Sequence, residues 1–401
     1  MNSLKRIAPP RKAFGPDEIS AVQNVIEYYS EAGEDPPYDG VFQKRLEDNF
    51  SEKMKGGYSL AVSTGTAACF VALRALKLPR GTEVIVSPVS DSGSLFSIVE
   101  CGLIPVIVDT ASTHTYNTNL SKIIEAISDK TSAIFLVHCG GHPVDLDSMQ
   151  GLKKLNIPVI EDCSQAPFAK YCGVCTGCDR CSSNDYVGSL GDIAVFSAMY
   201  RKSIQMGGSG GIVFTRKKGL YQSAVEQSDR GRLKWREGFR PKDPNDCSGS
   251  ALNFCTNEFS CAIGNASLNR IDETINRRLE FLKHLSTFLS GTGIFLNLPP
   301  PMNISPFYFA LELNDKLKKH KTRFCELASK SGIDLAVSYQ CVLSDWNFID
   351  QFPCRVVERK NVMQSKRNLF NLFLNENHNI DHAKEIAKNF INISKLIMEK
   401  K

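Results

Sequence analysis

The sequence predicts an α/β protein: a large domain with a mostly parallel sheet of the seven-stranded type, covered by helices, and a smaller α+β domain at the C-terminus. Short apolar segments typical of buried strands alternate with helical periodicity through the first half of the chain. From about residue 216 the pattern becomes more helical and polar. The 401 residues are 42% hydrophobic and 23% charged, which is enough for a sizeable core. We expect the large domain over 1–250 and the small domain over 251–401.

The elements follow one another in a regular order. Segment 16–30 has apolar residues at helical spacing after Pro16, and segment 42–54 predicts a second helix. The predicted strands are then 58–62, 83–87, 104–109, 132–138 and 157–162, and the predicted helices between them are 66–76, 92–101, 119–127 and 145–155. This alternation indicates parallel β-α-β units and a sheet covered on both faces. In the second domain, 307–313 predicts a strand and 318–331 a helix.

Charge and hydropathy limit the classes of partner. The formal net charge of +5 is too small and dispersed to predict nucleic-acid binding, although it suits an anionic substrate. The first residues lack the apolar segment of a signal peptide, and no apolar run approaches the length of a membrane span. We therefore expect a cytoplasmic protein with no nucleic-acid or membrane partner, whose 14 cysteines are mostly reduced.

Small and polar residues lie where the predicted strands end. The turn VSTGTAA (62–68) opens a helix, and its free N–H groups and positive dipole suit a phosphate, although an ordinary capped turn has the same pattern. Asp162 ends a buried strand and Gln165 follows one turn later, where an aspartate is also a common helix cap. Because the carboxyl ends of parallel strands meet at one edge of a sheet, these residues are expected to lie together.

A lysine completes this set. Lys202 follows the apolar strand segment 193–196, which leads into Ser197, and it precedes the glycine-rich GGSGG (207–211). A lysine at this position could take part in a reaction or bind a phosphate. The alternative is an ordinary surface lysine after an edge strand. A phosphate cradle, a carboxylate and a lysine on neighbouring strand ends fit pyridoxal phosphate (PLP). A lysine binds this cofactor as a Schiff base, while an aspartate keeps its pyridinium nitrogen protonated.

Several landmarks stand in a characteristic order. They are STGTAA (63–68), PVDLD (143–147), VIEDCSQA (159–166), GSLGDIAVFS followed by Lys202 (188–202), GGSGG (207–211) and ALNFCTNEFSCAIGNASLNRID (251–272). With them the chain resembles the nucleotide-sugar aminotransferases, the DegT-like group of fold-type I PLP-dependent enzymes. The resemblance runs from about residue 8 to about residue 290 and more faintly to the end.

The resemblance implies a reaction and its catalytic residues. The reaction would move an amino group from glutamate to a nucleotide-diphosphate keto-sugar, in amino-sugar biosynthesis for a cell-surface polysaccharide or a secondary metabolite. Lys202 would form the Schiff base and then act as the base for the proton shift. Asp162 would pair with the pyridine nitrogen, and Gln165 would touch the ring hydroxyl.

The resemblance also implies a phosphate site and a partner subunit. Thr66, Ala67 and Ser197 would meet the cofactor phosphate. Asn253 matches an asparagine that, in the family, reaches the phosphate of the neighbouring subunit. This match implies a homodimer with shared active sites.

Departures from the family pattern leave other functions open. Asp91 aligns where the family has an aromatic or similarly flat group that stacks on the cofactor ring, and Cys255 stands where it has an arginine. One alternative is a PLP-dependent nucleotide-sugar dehydratase, although such enzymes replace the Schiff-base lysine with histidine. The other is a non-catalytic sensor or regulatory member of the same fold. His138 and His142 flank a strand end but are not assigned to the catalytic set.

A cysteine-rich insertion spans about 172–186, where the family has a short hairpin. Cys172, Cys175, Cys178 and Cys181 recur at three-residue intervals with glycines between them. Thiolates at this spacing suit zinc or an iron–sulfur cluster, and three of the four could suffice. Disulfides are disfavoured in the cytoplasm, and exposed free thiols would be prone to oxidation. The sequence therefore predicts one metal centre, separate from the PLP site.

Overall fold

The structure is a computed structural model that describes residues 6–11, 14–172, 182–298 and 303–399. Its helices are α1 (Pro16–Ala32), α2 (Val41–Lys53), α3 (Gly65–Ala75), α4 (Ser92–Glu100), α5 (Leu120–Ile124), α6 (Leu146–Lys153), α7 (Lys218–Ser228), α8 (Glu258–Asn269), α9 (Ile271–Leu289), α10 (Asp315–Lys318), α11 (Lys321–Lys330), α12 (Lys360–Asn368) and α13 (Ile380–Glu399). Its strands are β1 (Tyr58–Val62), β2 (Glu83–Val86), β3 (Ile104–Ile107), β4 (Thr131–Val137), β5 (Val159–Asp162), β6 (Lys170–Cys172), β7 (Ser182–Tyr186), β8 (Ile193–Ser197), β9 (Gly211–Thr215), β10 (Tyr308–Glu312), β11 (Leu335–Ala336), β12 (Arg355–Val356) and β13 (Leu369–Phe373).

The main sheet confirms the predicted fold class. Its strand order is β1-β9-β8-β5-β4-β2-β3-β12. Neighbours from β8 to β12 run parallel, and only β9 pairs antiparallel with the strands on either side of it. Seven strands form the expected sheet, and the two-residue β12 from the C-terminal part of the chain adds an eighth at the edge. The parallel strands direct their carboxyl ends to one edge, as the crossover helices require.

Side chains of alternate strand residues build a core on each face of this sheet. On β2, Val84 and Val86 belong to the core cluster that contains residues of α3 and α4, whereas Ile85 belongs to the cluster on the opposite face, which contains residues of α1 and α2. Phe50 of α2 is fully buried there, with its ring centroid 4.9 Å from that of Phe196. The period-two burial of apolar residues is the pattern from which the strands are predicted.

A smaller α+β unit follows. Strands β10, β13 and β11 form an antiparallel sheet, in that order. Its core includes Phe324, Phe370 and Phe390 from α11, β13 and α13. The domain boundary at residue 250 stays a prediction: α8 packs on α1 and α2 of the large domain, and β12 pairs with β3. In the part of the chain that is described, no helix is both long enough and apolar enough to cross a bilayer.

Candidate active site

A cavity of about 370 Å³ opens at the edge of the main sheet, where β5 and β8 end and α3 and α4 begin. Five of the predicted residues line it: Thr66, Asp162, Gln165, Ser197 and Lys202. The small domain closes it from the other side with three aromatic side chains, Phe307, Tyr339 and Phe373. The site therefore lies between the two units of the chain.

Asp162 is the last residue of β5 and is buried. One carboxylate oxygen accepts a hydrogen bond from the Ser94 hydroxyl at 3.0 Å, and the other accepts from the Ser164 N–H at 3.0 Å. Ser94 in turn accepts from the Ser90 hydroxyl at 2.8 Å, so a serine pair in the β2–α4 region fixes the carboxylate. An anionic acceptor is thus held at the cavity wall in one orientation.

The Lys202 side chain reaches the same cavity after the turn that follows β8. Its amine nitrogen lies 4.5 Å from the centre of the Phe307 ring. Burial lowers the pKa of Lys202 below that of an ordinary lysine, although the nearby Asp162 and Asp91 carboxylates oppose the shift. A lysine with a lowered pKa holds more neutral amine near pH 7, which is the form that attacks a carbonyl carbon.

The turn between β1 and α3 approaches Ser197 closely. A Cβ atom added to Gly65 would lie 2.7 Å from the Ser197 Cβ and 2.8 Å from its hydroxyl oxygen, so only glycine fits there. The Thr64 hydroxyl caps α3 by accepting the Ala67 N–H at 2.8 Å. The helix N-terminus, the Ser197 hydroxyl and Thr66 together form a cradle suited to a phosphate. Ala67 itself is buried, and it does not line the cavity.

Gln165 is held at both ends of its side-chain amide. Its oxygen accepts the Gly140 N–H at 2.7 Å, and its nitrogen donates to the Tyr339 hydroxyl at 2.8 Å. Tyr339 belongs to the C-terminal part of the chain, so this amide links the strand edge to the small domain. A ring hydroxyl bound at this point would share the Gln165 amide with these partners.

Asp91 faces the cavity as the N-cap of α4, where its carboxylate accepts the Gly93 N–H at 2.9 Å. The position is therefore a capping site, which aspartate suits well. An aromatic wall is nevertheless present, because Phe307 lies over the Lys202 amine from the small-domain side.

The sequence did not predict Phe307, Tyr339 or Ser94 as site residues. Phe307 and Tyr339 reach the site only through the packing of the small domain. Ser94 lies four residues after Ser90, and that spacing was the available signal.

Asn253 lies outside this cavity. Its side chain is exposed, and its oxygen accepts the Cys255 N–H at 3.0 Å. The adjacent Phe254 carbonyl accepts the Ser63 N–H at 2.9 Å, which places this loop beside the β1–α3 turn. Leu252, next in the chain, is 62% exposed. The role of Asn253 in a partner's site stays a prediction.

His138 directly follows β4, and its imidazole contacts Glu161, the residue before Asp162 on β5. Its Nδ1 accepts the Val144 N–H at 2.9 Å, so Nε2 carries the proton toward Glu161, 3.0 Å away. Glu161 also accepts hydrogen bonds from the Tyr171 hydroxyl and from the N–H groups of Gly188, Leu190 and Gly191. Burial works to raise the pKa of Glu161, but these partners outweigh it and lower the pKa. The network braces the strand that carries Asp162.

The predicted cysteine centre lies largely outside the described residues. Cys175, Cys178 and Cys181 fall beyond them, and only the backbone of Cys172 is described, at the end of β6. Among the described residues, one group of potential metal ligands has its ligand atoms within 4.8 Å of one another: His138, Glu161 and Cys163. The Glu161 carboxylate there is already satisfied by hydrogen bonds, so that network requires no ion.

Comparisons with known proteins agree with this architecture. GDP-perosamine synthase from Escherichia coli O157:H7 is 34% identical over 242 residues, which are 60% of this chain and 61% of that protein. A putative L-glutamine:3-amino-2,3-dideoxy-scyllo-inosose aminotransferase from Micromonospora echinospora is 27% identical over 328 residues, 80% of this chain and 73% of that one. The solved aminotransferase from Psychrobacter cryohalolentis superposes with a TM-score of 0.84 at 23% identity, covering 98% of this chain and 100% of that one.

The match to the first relative spans less than two thirds of that protein's length. The family match is broader: residues 29–390 fit the DegT/DnrJ/EryC1/StrS aminotransferase family. That range includes every strand of the main sheet and every residue that lines the cavity. The chain therefore belongs to the DegT/DnrJ/EryC1/StrS aminotransferase family.

Proposed function

We propose that the protein is a PLP-dependent aminotransferase that moves an amino group from glutamate to a keto-sugar carried on a nucleotide diphosphate. The observation that carries the proposal is the meeting of three groups in one cavity. They are the Lys202 amine, the fixed Asp162 carboxylate and the cradle formed by Thr66, Ser197 and the N-terminus of α3. Membership of an aminotransferase family supports this reading of the site.

The residues present fit the cofactor by their chemistry. PLP, when bound, supplies the electron sink that stabilises negative charge on the substrate carbon. Thr66, Ser197 and the N-terminus of α3 would hold its phosphate, and Asp162 would hold its ring nitrogen in the protonated form. Gln165 would meet the ring hydroxyl. Ala67 contributes to the phosphate site by forming the first turn of α3.

Lys202 has two tasks in this proposal. Its amine would hold the cofactor covalently at the aldehyde carbon until a substrate amine takes its place. The freed amine, whose pKa burial lowers, would then be the group that carries the proton between the substrate carbon and the cofactor. Phe307 beside the amine excludes water from this step.

The acceptor is proposed from the relatives and from the mouth of the cavity. GDP-perosamine synthase is named for a nucleotide-linked amino-sugar, and the Micromonospora relative for an aminocyclitol precursor. Arg201 lines the cavity with an exposed guanidinium, which suits a diphosphate. This cation favours the nucleotide-linked acceptor. Lys202 stands against the dehydratase alternative, and membership of an aminotransferase family stands against the non-catalytic alternative.

We propose that the protein is a cytoplasmic homodimer. Asn253 is exposed, lies outside the cavity of its own chain and is flanked by the exposed Leu252. These features suit a residue that completes the phosphate site of a partner. Sedimentation should give a dimer; a strict monomer that is fully active at low concentration would contradict the assembly.

We also propose that Cys172, Cys175, Cys178 and Cys181 hold one metal centre, zinc or an iron–sulfur cluster, with a structural or modulatory role. The insertion begins at the last residue of β6 and includes β7, and Tyr171 of β6 bonds to Glu161, the neighbour of Asp162 in the chain. Elemental analysis of protein prepared anaerobically should find zinc or iron, and a variant with all four cysteines changed to serine should lack it. Equal and negligible metal in both preparations would contradict the proposal.

A half-reaction tests the function. Protein loaded with PLP should convert one equivalent of glutamate to 2-oxoglutarate per site, with loss of the absorbance of the lysine-bound cofactor. Lys202→Arg should abolish this conversion, whereas Lys217→Arg, on the exposed surface beside Asp192, should retain it. Absence of 2-oxoglutarate from wild-type protein that binds PLP would favour a regulatory member of the fold.

A further inference from the structure

A network of two guanidinium groups and one carboxylate joins the Lys202 turn to the small domain. The Glu376 carboxylate accepts from the Arg11 Nε at 2.8 Å and from an Arg278 Nη at 3.0 Å. Arg11 lies in the N-terminal segment, Arg278 lies in α9 and Glu376 follows β13. Segments distant in sequence therefore meet at one charged centre.

Both arginines also donate hydrogen bonds to residues around the reactive lysine, Arg11 to backbone carbonyls and Arg278 to a side-chain hydroxyl. Arg11 donates to the Lys202 carbonyl at 2.5 Å and to the Tyr200 carbonyl at 3.3 Å. Arg278 donates to the Ser203 hydroxyl at 2.9 Å. The lysine turn is thus held at residues 200, 202 and 203. Arginine suits this task because its planar fork presents several donors at fixed angles.

Arg278 also fixes the aromatic wall of the cavity. The same Nη that bonds Ser203 donates to the Pro306 carbonyl at 3.0 Å. Pro306 directly precedes Phe307, whose ring lies against the Lys202 amine. Arg278 is only 2% exposed, and a guanidinium is buried at this depth only where partners compensate its charge. The buried Arg278 guanidinium therefore fixes the position of the lysine turn relative to the Phe307 ring.

We infer that Arg11, Arg278 and Glu376 are positioning residues, which hold the Lys202 amine against Phe307 and so keep it enclosed and reactive. The inference rests on the proposed function only in naming Lys202 as the reacting group. None of the three residues lines the cavity, so the network acts through the lysine turn and through the segment that carries Phe307. Loss of one guanidinium would loosen the turn, expose the amine and move its titration toward that of an ordinary lysine.

Arg11→Met is the direct test, with Arg6→Met as its matched control. Both arginines lie in the N-terminal segment, but the ion pair that Arg6 makes with Asp334, at 3.8 Å, is exposed. The readout is the rate at which trinitrobenzenesulfonate labels Lys202 in the PLP-free protein, followed against pH by peptide mass spectrometry. The groups that act on the amine are unchanged in both variants: Asp162, Asp91, Cys139 and Cys341.

Arg11→Met should raise the midpoint pH for labelling of Lys202 and weaken PLP binding about tenfold or more, the factor expected for one lost charge-assisted hydrogen bond. Arg6→Met should change neither. Glu376→Gln should move the midpoint in the same direction, and it replaces Arg11→Met as the test if that variant does not fold. Arg11→Lys should restore part of the effect, because it keeps the charge but not the fork.

Equal midpoints in Arg11→Met, Arg6→Met and wild type would overturn the inference, even if Arg11→Met melted at a lower temperature. The labelling is read without cofactor or substrate. A shifted midpoint in a protein that fails to produce 2-oxoglutarate would therefore contradict the proposed function and leave the positioning role standing.

Discussion

At the residue scale, the two aspartates that line the cavity have different surroundings. Asp162 ends β5, and Ser94 and Ser164 hold its two oxygens. Asp91 caps α4 through the Gly93 N–H. A carboxylate fixed by hydrogen bonds can stabilise a nearby positive charge without rearranging. The Asp91 carboxylate, by contrast, stabilises the N-terminus of its own helix. We therefore assign the electrostatic task to Asp162.

Asp162→Asn should leave the fold and PLP binding intact but lower the turnover number about 10²-fold or more, because the neutral amide no longer stabilises the protonated ring nitrogen. Steady-state kinetics with glutamate, compared with circular dichroism of the bound cofactor, measures this. Asp145→Asn is the control, since Asp145 caps α6 by accepting the Ser148 N–H at 2.7 Å. Transamination by Asp162→Asn at the wild-type rate would contradict the role proposed for the Asp162 carboxylate.

At the element scale, the phosphate cradle depends on how closely α3 approaches the ends of β8 and β9. Gly65 leaves no room for a side chain beside Ser197. At Gly211, the first residue of β9, an added Cβ would lie 2.3 Å from the Thr64 carbonyl oxygen. The two glycines let a helix N-terminus and two strand ends share one point, and a phosphate needs that convergence.

Gly65→Ala should weaken PLP binding, because relief of the contact with Ser197 displaces the N-terminus of α3. The cost of such overpacking is about 1–3 kcal/mol. Gly219→Ala in α7 is the matched control, since nothing lies within 4 Å of its added Cβ. Titration of each PLP-free variant with PLP measures the affinities. Equal affinities in the two variants would show that the close approach does not matter for binding.

Elements of the large domain could be predicted because each carries its own periodic signal. Strand β1 (Tyr58–Val62) has the predicted bounds, and α3 (Gly65–Ala75) begins one residue before the predicted helix. The convergence of Asp162 and Lys202 followed from the geometry of parallel strands. Phe307 could not be predicted, because nothing in its local sequence says that small-domain packing brings its ring to the lysine.

At the scale of the whole molecule, an ion pair between Arg11 and Glu376 connects the two predicted domains near the cavity. Glu376 joins Arg278 of α9 to Arg11 near the N-terminus. Burial works to raise the pKa of Glu376, but the two guanidiniums outweigh it and lower the pKa to about 2. The Glu376 carboxylate therefore binds a proton more weakly in the folded protein than in the unfolded chain, where the pKa of a glutamate is about 4.3.

The consequence is a loss of stability in acid. The Glu376 contribution is fully present above pH ~4.3 and is lost as the pH falls toward 2. Glu376→Gln should therefore melt well below wild type at pH 6, and the gap should narrow at pH 3. Glu273→Gln, which breaks an exposed ion pair with Arg277, should differ little from wild type at either pH. A Glu376→Gln gap that stays constant with pH would contradict the assignment.

The central claim is that Lys202 is the residue that bonds the cofactor. Wild-type protein should be incubated with PLP, reduced with borohydride, digested and mapped by mass spectrometry, with Lys202→Arg treated in parallel. The pyridoxyl label should be found on the peptide that contains Lys202, at one equivalent per chain, and should be absent from the variant. Stoichiometric label on another lysine, or equal labelling of the Lys202→Arg protein, would contradict the account.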